Sequence, residues 1–353
     1  MDVNLVGWGM YYPPYEYTNE DLCRIFKLPL RKAKDYEEML GVKKRQMCID
    51  FNNGGQQMIR DDQMATEAAK DAMKVAGIET DDIDMIISSY TTMDYITPGV
   101  AERIQSNLKI VEGHAMNLVG GCAEFINAII VAKMFIEQGK ADTILITVSE
   151  VVNAFYKDFT TTHEWFIAGD NGGAIILSSK HKGPFRVRNS NFKTVGRVQN
   201  IMPIPIWGVK VPCPLILENE GCHPLLKAMA DIDDKYRWPR RKQMKDTLTV
   251  FIKNMHRIVN ELTEEINVPK EEAYPTIPQF NMILMREASK SFNIKEEHVP
   301  LILVEHGCEG TSAPIATFLE CYKKHKFADY NYVILLALGI NGSYGGVLLE
   351  KIK

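Results

Sequence analysis

Apolar and polar positions alternate along this chain with two different periods, and the periods predict its elements. Four apolar runs are short enough to be buried strands: "IDMIISSYTT" (83–92), "HAMNLV" (114–119), "DTILITVSEV" (142–151) and "GGAIILSS" (172–179). Ahead of the first, "DQMATEAAKDAMKVAG" repeats apolar positions at i, i+3 and i+4 and stops at Gly77, which predicts a helix with a glycine end. "AEFINAIIVAKMFIEQG" is apolar nearly all round and predicts a helix buried on several sides. Strands and helices in this succession predict an α/β fold with helices packed on a sheet.

The pattern occurs twice. "GGCAEFINAIIVAKMFIEQGKADTILITVS" is echoed by "EGTSAPIATFLECYKKHKFADYNYVILLALG". Each has small residues, a helix, an Ala-Asp pair (Ala141-Asp142, Ala328-Asp329) and an apolar strand. Each is followed by a glycine pair opening a last strand, in "NGGAIILSS" and "YGGVLLEKI". The period is too long for a solenoid and predicts two duplicated α/β halves, 1–180 and 240–353. The stretch 181–239, proline-rich in "PIPIWGVKVPCP" and running into the charged "DDKYRWPRRKQMKD", reads as an insertion capping one end.

Composition narrows the class. The 353 residues are 46% hydrophobic and 24% charged, with a formal net charge of -4, which suits a large globular core and gives no basic face for nucleic acid. The start, "MDVNLVGWGMYYPP", has no basic segment before an apolar one, and "FINAIIVAKMFI" is short for a bilayer and carries Lys133. A cytoplasmic protein with no membrane or nucleic-acid partner is the expectation. Seven scattered cysteines without a CxxC predict neither a disulfide framework nor a zinc site, and no cofactor is expected. Each cysteine reads first as a small buried hydrophobe.

Cys122 has a second reading. In "NLVGGCAEF" it stands where a strand ends, two glycines turn the chain and a buried helix begins. A helix N-terminus carries partial positive charge and unpaired N–H groups, which lower a thiol's pKa and hold an oxyanion. The alternative is that the glycines only let helix and sheet pack closely around a small side chain.

Five segments decide between these. "LGVKKRQMC", "TTMDYITPGVAERIQSNLKI", "NLVGGCAEFINAIIVA", "EHGCEGTSAPIATFLE" and "ALGINGSYGGVLLE" resemble, in order and spacing, the thiolase superfamily and its β-ketoacyl-acyl-carrier-protein synthase III branch. The resemblance spans nearly the whole chain and is weakest over 184–250. It implies duplicated βαβαβαββ halves in five αβαβα layers, a homodimer, and Cys122 as acyl-accepting nucleophile. Backbone N–H groups at Cys122 and near Gly339, Ile340 and Asn341 would form the oxyanion site. Met93, Asp94 and Tyr95 would shape the acyl tunnel.

Two departures stand out against that family. Its "PHQAN" corresponds to "IPQFN", with Gln279 in place of the histidine, and the asparagine of its "HGN" falls on Cys308. Gln279 still donates a hydrogen bond but moves no proton near neutral pH, and Cys308 is a weak donor. Acyl loading on Cys122 depends less on these groups than decarboxylative condensation does. The family's adenine-stacking tryptophan and arginine fall on Asp35 and Met39, leaving Lys43, Lys44 and Arg45 as phosphate contacts for CoA. A carrier protein is the alternative donor, received by the basic run around Arg237, Arg240, Arg241 and Lys242. Candidates for a replacement base are Glu309, then His163 and His223, with His306 read as structural. The expected activity is acyl transfer from a carrier-protein or CoA thioester, through Cys122, to a small-molecule or carrier-bound acceptor in specialised biosynthesis. The alternatives are a decarboxylating condensing enzyme and, from another class, a non-catalytic partner of an active homologue.

Overall fold

The computed structural model describes residues 1–155, 166–196, 241–339 and 341–352. Among them, nine strands join in one mixed sheet: β1 (Asn4–Tyr11), β2 (Met85–Tyr90), β3 (His114–Val119), β4 (Thr143–Glu150), β5 (Asn171–Ser178), β6 (Phe185–Thr194), β7 (Ala273–Thr276), β8 (Tyr332–Leu338) and β9 (Ser343–Lys351). Their order across the sheet is β7-β8-β9-β6-β1-β5-β4-β2-β3. Two runs therefore lead outward from a common centre, β1-β5-β4-β2-β3 and β6-β9-β8-β7. They meet where β1 and β6 pair antiparallel at Asn4↔Arg186 and Leu5↔Phe185.

The main helices are α1 (Asp61–Ala76), α2 (Val100–Asn107), α3 (Glu124–Glu137), α4 (Arg241–Glu264), α5 (Met282–Ser291) and α6 (Ala313–Lys323). In chain order the first half is β1-α1-β2-α2-β3-α3-β4-β5, the expected βαβαβαββ. The second half repeats it except at the third strand, where a helical turn over Ile302–His306 stands instead. Helices α1 and α2 cover the outer face of the first sheet half and α4, with α5 on it, covers that of the second. Helices α3 and α6 lie between and touch strands of both halves, giving five layers. The all-round apolarity of α3 follows from that position: Phe125, Ile126, Ala128, Ile129, Ala132 and Ile136 are all buried, because sheet faces it from two sides.

Strand β6 falls inside the stretch expected to be a cap. It pairs with β9 from Phe185↔Lys351 to Thr194↔Ser343, so these residues form part of the second half's sheet. Its sequence, "FRVRNSNFKT", is too polar to announce a strand by apolar count. The rest of that stretch, from 197 to 240, lies outside the described residues. Among the described cysteines none is in a disulfide, and Cys23, Cys48 and Cys321 are buried in the interior.

Candidate active site

The parallel strands β2, β3 and β4 end together at Tyr90, Val119 and Glu150, and sites in such sheets collect at the strands' carboxyl ends. The turn after β3 carries Cys122. Gly120 N–H donates to Tyr90 O at 3.3 Å, tying the turn to the end of β2, and Glu124 N–H donates to Gly121 O at 2.9 Å, closing it. Cys122 is 9% exposed and stands just ahead of α3, whose start no side chain caps. Cys122 thus stands at the positive pole of a buried helix.

The second half closes onto this turn. The loop between β8 and β9 is folded by Gly339 N–H donating to Ser343 O at 2.7 Å and Gly342 N–H donating to Gly339 O at 3.0 Å. A Cβ on Gly339 would stand 3.4 Å from Ala123 N, and one on Gly121 would stand 2.5 Å from Asn341 Oδ1. A larger residue at either position would have to displace the Asn341 side chain, which fills the space between the two loops. Gly339 therefore lies at the Cys122 turn; Ile340 lies outside the described residues.

A third loop, 307–312, links Cys308 and Glu309 to the same region. It is anchored by Glu150, a fully buried carboxylate at the end of β4 whose pKa burial raises. Its oxygens accept from Thr91 N–H (3.3 Å), Thr92 Oγ1–H (3.0 Å), Thr311 N–H (3.2 Å) and the Thr311 hydroxyl. One carboxylate so joins the loop after β2 to the loop before α6. The Glu309 carboxyl accepts from the Tyr12 hydroxyl beyond the end of β1, and Tyr12 stacks on His306 at 4.0 Å. Burial pushes Glu309 up to about 8, so it holds a proton at neutral pH. Cys308 is clamped by its backbone: N–H donates to Ile167 O at 2.6 Å, and O accepts from Gly169 N–H at 3.1 Å. Burial pushes its thiol up to about 12, which leaves it neutral.

Other residues expected at the site have different surroundings. Gln279 is buried, with Nε2–H donating to Pro300 O at 2.7 Å and Oε1 accepting from Leu303 N–H at 3.0 Å, so its amide shapes the chain before the 302–306 turn. Arg45 is not a surface cation. It is wholly buried, and its guanidinium donates to Tyr17 O at 3.2 Å, to Asn19 Oδ1 and to Phe166 O at 2.5 Å, with burial lowering its pKa to about 9. A phosphate has no access to it, because strand pairing of 44–47 with 15–18 turns this residue inward. Lys44 faces out but pairs with Glu16 at 3.0 Å and Glu305 at 3.1 Å; Lys43 is exposed. Arg241 opens α4, and its side chain, like Arg237, Arg240, Lys242, His163 and His223, lies outside the described side chains.

The 93–95 loop is held by charge. Asp94 Oδ2 accepts from Asp61 N–H at 2.7 Å, and Asp61 Oδ2 accepts from Asp94 N–H at 3.0 Å. Arg103 reaches Asp61 at 2.8 Å and Asp62 at 2.6 Å, and its guanidinium lies 4.8 Å over the Tyr95 ring. Tyr95 is half exposed, and Met93 packs on the apolar cluster beneath α1. Sequence reasoning missed three residues: Glu150, the Asn341 side chain, and Glu124, whose Oε2 would lie 2.3 Å from a Cβ on Gly120. The signal for Glu124 was legible, an acidic residue in the first turn after the cysteine. Nothing local marked the other two.

The family description "3-Oxoacyl-[acyl-carrier-protein (ACP)] synthase III" matches residues 116–196, which include Cys122 and its turn. A β-ketoacyl-[acyl-carrier-protein] synthase III of Clostridium tetani is 26% identical, with 99% of each chain covered. Among solved structures, the 3-oxoacyl-(acyl carrier protein) synthase III of Pseudomonas aeruginosa superposes with a TM-score of 0.78 at 16% identity over 100% of this chain and 99% of that one. AbyA1, a tetronic acid condensing enzyme, superposes with a TM-score of 0.77 at 17% identity over 99% of both chains. With the duplicated fold, the chain has the architecture of the synthase III structures and, over residues 116–196, is similar to the synthase III family.

Proposed function

We propose that this protein is an acyltransferase that loads an acyl group from a carrier-protein or CoA thioester onto Cys122 and passes it to an acceptor. The observation that carries the reading is Cys122 at the uncapped start of α3, with the Gly339–Asn341 loop of the other half closed against its turn. The Cys122 thiolate adds to the thioester carbonyl carbon, and the carbonyl electron pair moves to oxygen. Collapse re-forms the carbonyl and expels the carrier thiolate, which takes up a proton. The acceptor then attacks the acyl-cysteine, loses its own proton and releases the Cys122 thiolate. Glu309 holds a proton at neutral pH and its carboxyl faces Tyr12, so it serves this scheme as part of the loop's scaffold.

The buried Arg45 and the paired Lys44 weaken a CoA phosphate contact at 43–45 and weigh toward a carrier-protein donor. The decarboxylating alternative asks Gln279 to bind a second thioester; its bonds to Pro300 and Leu303 weigh against that role. The acceptor is an amine, a hydroxyl or an atypical carbon nucleophile of specialised biosynthesis, a setting that also suits the tetronic acid condensing enzyme among the structural neighbours. A homodimer fits the edge of β3 that no strand pairs among the described residues, where every residue is at least partly exposed and Val119 is an exposed apolar one.

Intact-mass measurement with acetyl-, hexanoyl- and decanoyl-CoA and the matching acyl-carrier proteins tests the reading. One acyl group should add to the wild type and none to Cys122→Ala. A wild type that acquires no adduct from any of them sinks the proposal. Loading of the purified protein by itself excludes the non-catalytic partner role.

A further inference from the structure

The side chain of Asn341 lies in the seam between the two halves. Its Oδ1 is 2.5 Å and its Nδ2 is 3.1 Å from the point where a Gly121 Cβ would stand. Oδ1 is also 2.5 Å from the corresponding point on Gly339, which is itself 3.4 Å from Ala123 N. The carboxamide is thus wedged against the residue before Cys122 and close to the residue after it.

Ser343 fixes which end of the amide faces where. Its N–H donates to Asn341 Oδ1 at 3.2 Å, and its hydroxyl donates to the same atom at 2.5 Å. A backbone N–H only donates, so the atom it meets is the oxygen and the other end is the NH2 group. Asn341 is half-buried, no group among the described residues accepts from Nδ2, and Nδ2 is not among the polar atoms sealed without a partner. An oriented donor with no acceptor of its own therefore opens onto accessible space beside the nucleophile turn.

We propose that Asn341 Nδ2–H donates to the carbonyl oxygen of the acyl group as it passes onto and off Cys122. The inference rests on the acyltransferase reading and adds to it a side-chain donor from the second half. Consecutive Cα atoms are ~3.8 Å apart, so a group touching Gly121 is within reach of an acyl oxygen carried by Cys122. That oxygen gains negative charge as the thiolate adds, and a donor held in place strengthens as the charge grows. The same oxygen gains charge again when the acceptor attacks. The asparagine thus stands on the β8–β9 loop, while the 307–312 loop presents Cys308.

The test compares two reactions of the same sulfur. Loading of Cys122 is timed by intact mass with whichever of the three CoA thioesters or three acyl-carrier proteins loads the wild type fastest. Alkylation of Cys122 by iodoacetamide is timed on its peptide; that displacement develops no oxyanion. Asn341→Ala and the similarly shaped Asn341→Leu should each slow loading about 100-fold through the maximal rate, with half-saturation unchanged and alkylation at the wild-type rate. Wild-type loading in both variants overturns the inference, as does a parallel fall in loading and alkylation, which marks a merely structural side chain. If one variant does not fold, the other decides. A wild type that is never acylated brings down the acyltransferase reading and this inference with it, whereas normal loading in folded variants brings down the inference alone.

Discussion

Burial, more than charge type, decides what individual residues of this chain do. Glu309 is a carboxylic acid that the fold keeps protonated: burial and the charge of Glu320 raise its pKa, and the hydrogen bond from the Tyr12 hydroxyl only partly offsets them. Its pKa rises from the ordinary 4.5 to about 8, so between those values the folded chain keeps a proton that the unfolded chain has released. Stability linked to this group is complete below about pH 4.5 and falls as pH rises through 8. Glu309→Gln, which keeps an acceptor for Tyr12 and never ionises, should match the wild type in unfolding free energy at pH 4. It should exceed it at pH 9 by an amount on the order of 4 kcal/mol. A difference that does not change with pH refutes this account. Arg45 gives the opposite lesson. Read in sequence, "KKR" is a cationic run; in the sheet its third member points inward and binds three oxygens from different segments. Arg45→Ala should destabilise the protein by about 3 kcal/mol and leave half-saturation for any loading thioester unchanged, since no donor phosphate reaches it. A rise in half-saturation in a folded variant restores Arg45 to the donor site. Only the local strand pairing, invisible in a run of like charges, separates Arg45 from Lys44.

At the scale of elements, loops gain their positions by contacts with distant parts of the chain. The 93–95 loop shows the cost of such positioning. Asp61 and Asp94 cap each other's backbone, and Arg103 compensates Asp61 and Asp62, both buried. Burial and the neighbouring Asp94 push Asp61 up to about 7. Arg103→Ala leaves the buried Asp61 without its cation and Asp62 with Arg60 alone, a change that costs about 3–5 kcal/mol. The loss should be smaller at pH 5 than at pH 8, because Asp61 is protonated at the lower pH and needs no counter-charge. Urea midpoints at the two pH values check the sign, and an equal loss at both refutes it. The sequence displayed most elements well: the four apolar runs of the first half became β2 to β5, and the turn at Cys122 lies ahead of α3 as its glycines suggested. It concealed β6, whose outward-facing polar residues diluted the apolar signal. It also concealed the replacement of a third strand by the 302–306 turn, where the duplication is broken. The Glu150 latch and the Asn341 wedge were illegible for another reason: their partners are 161 residues distant for Thr311 and 220 for Gly121, and no local pattern encodes such meetings.

The whole molecule should unfold as one body even though its pattern is duplicated. Among the described residues, strand pairing between the halves is slight, two residue pairs between β1 and β6 and an isolated bridge between Ala168 and Cys308, and would by itself let them separate. The side chains argue otherwise. One apolar core runs from Leu5, Ile144 and Ile175 of the first half through α3 to Val333, Leu348 and Leu349 of the second. Phe185 stands at the junction, at the start of β6, edge-on to Trp8 of β1 at 6.1 Å, Phe318 of α6 at 5.3 Å and Phe327 at 6.1 Å. Removing it opens a cavity that both halves line, at a cost of about 3–5 kcal/mol. If the halves share their stability, Phe185→Ala lowers the urea midpoint of the whole chain. The transition then stays single, with circular dichroism and tryptophan fluorescence coincident and the slope unchanged. Independent halves give a different result, two transitions of which the variant shifts one. The outcome bears on catalysis as well, because the Cys122 turn comes from one half and the Gly339–Asn341 loop from the other. Their separation is set by the same core, so Phe185→Ala should slow acyl loading before it unfolds the chain, in proportion to the loosening of that seam.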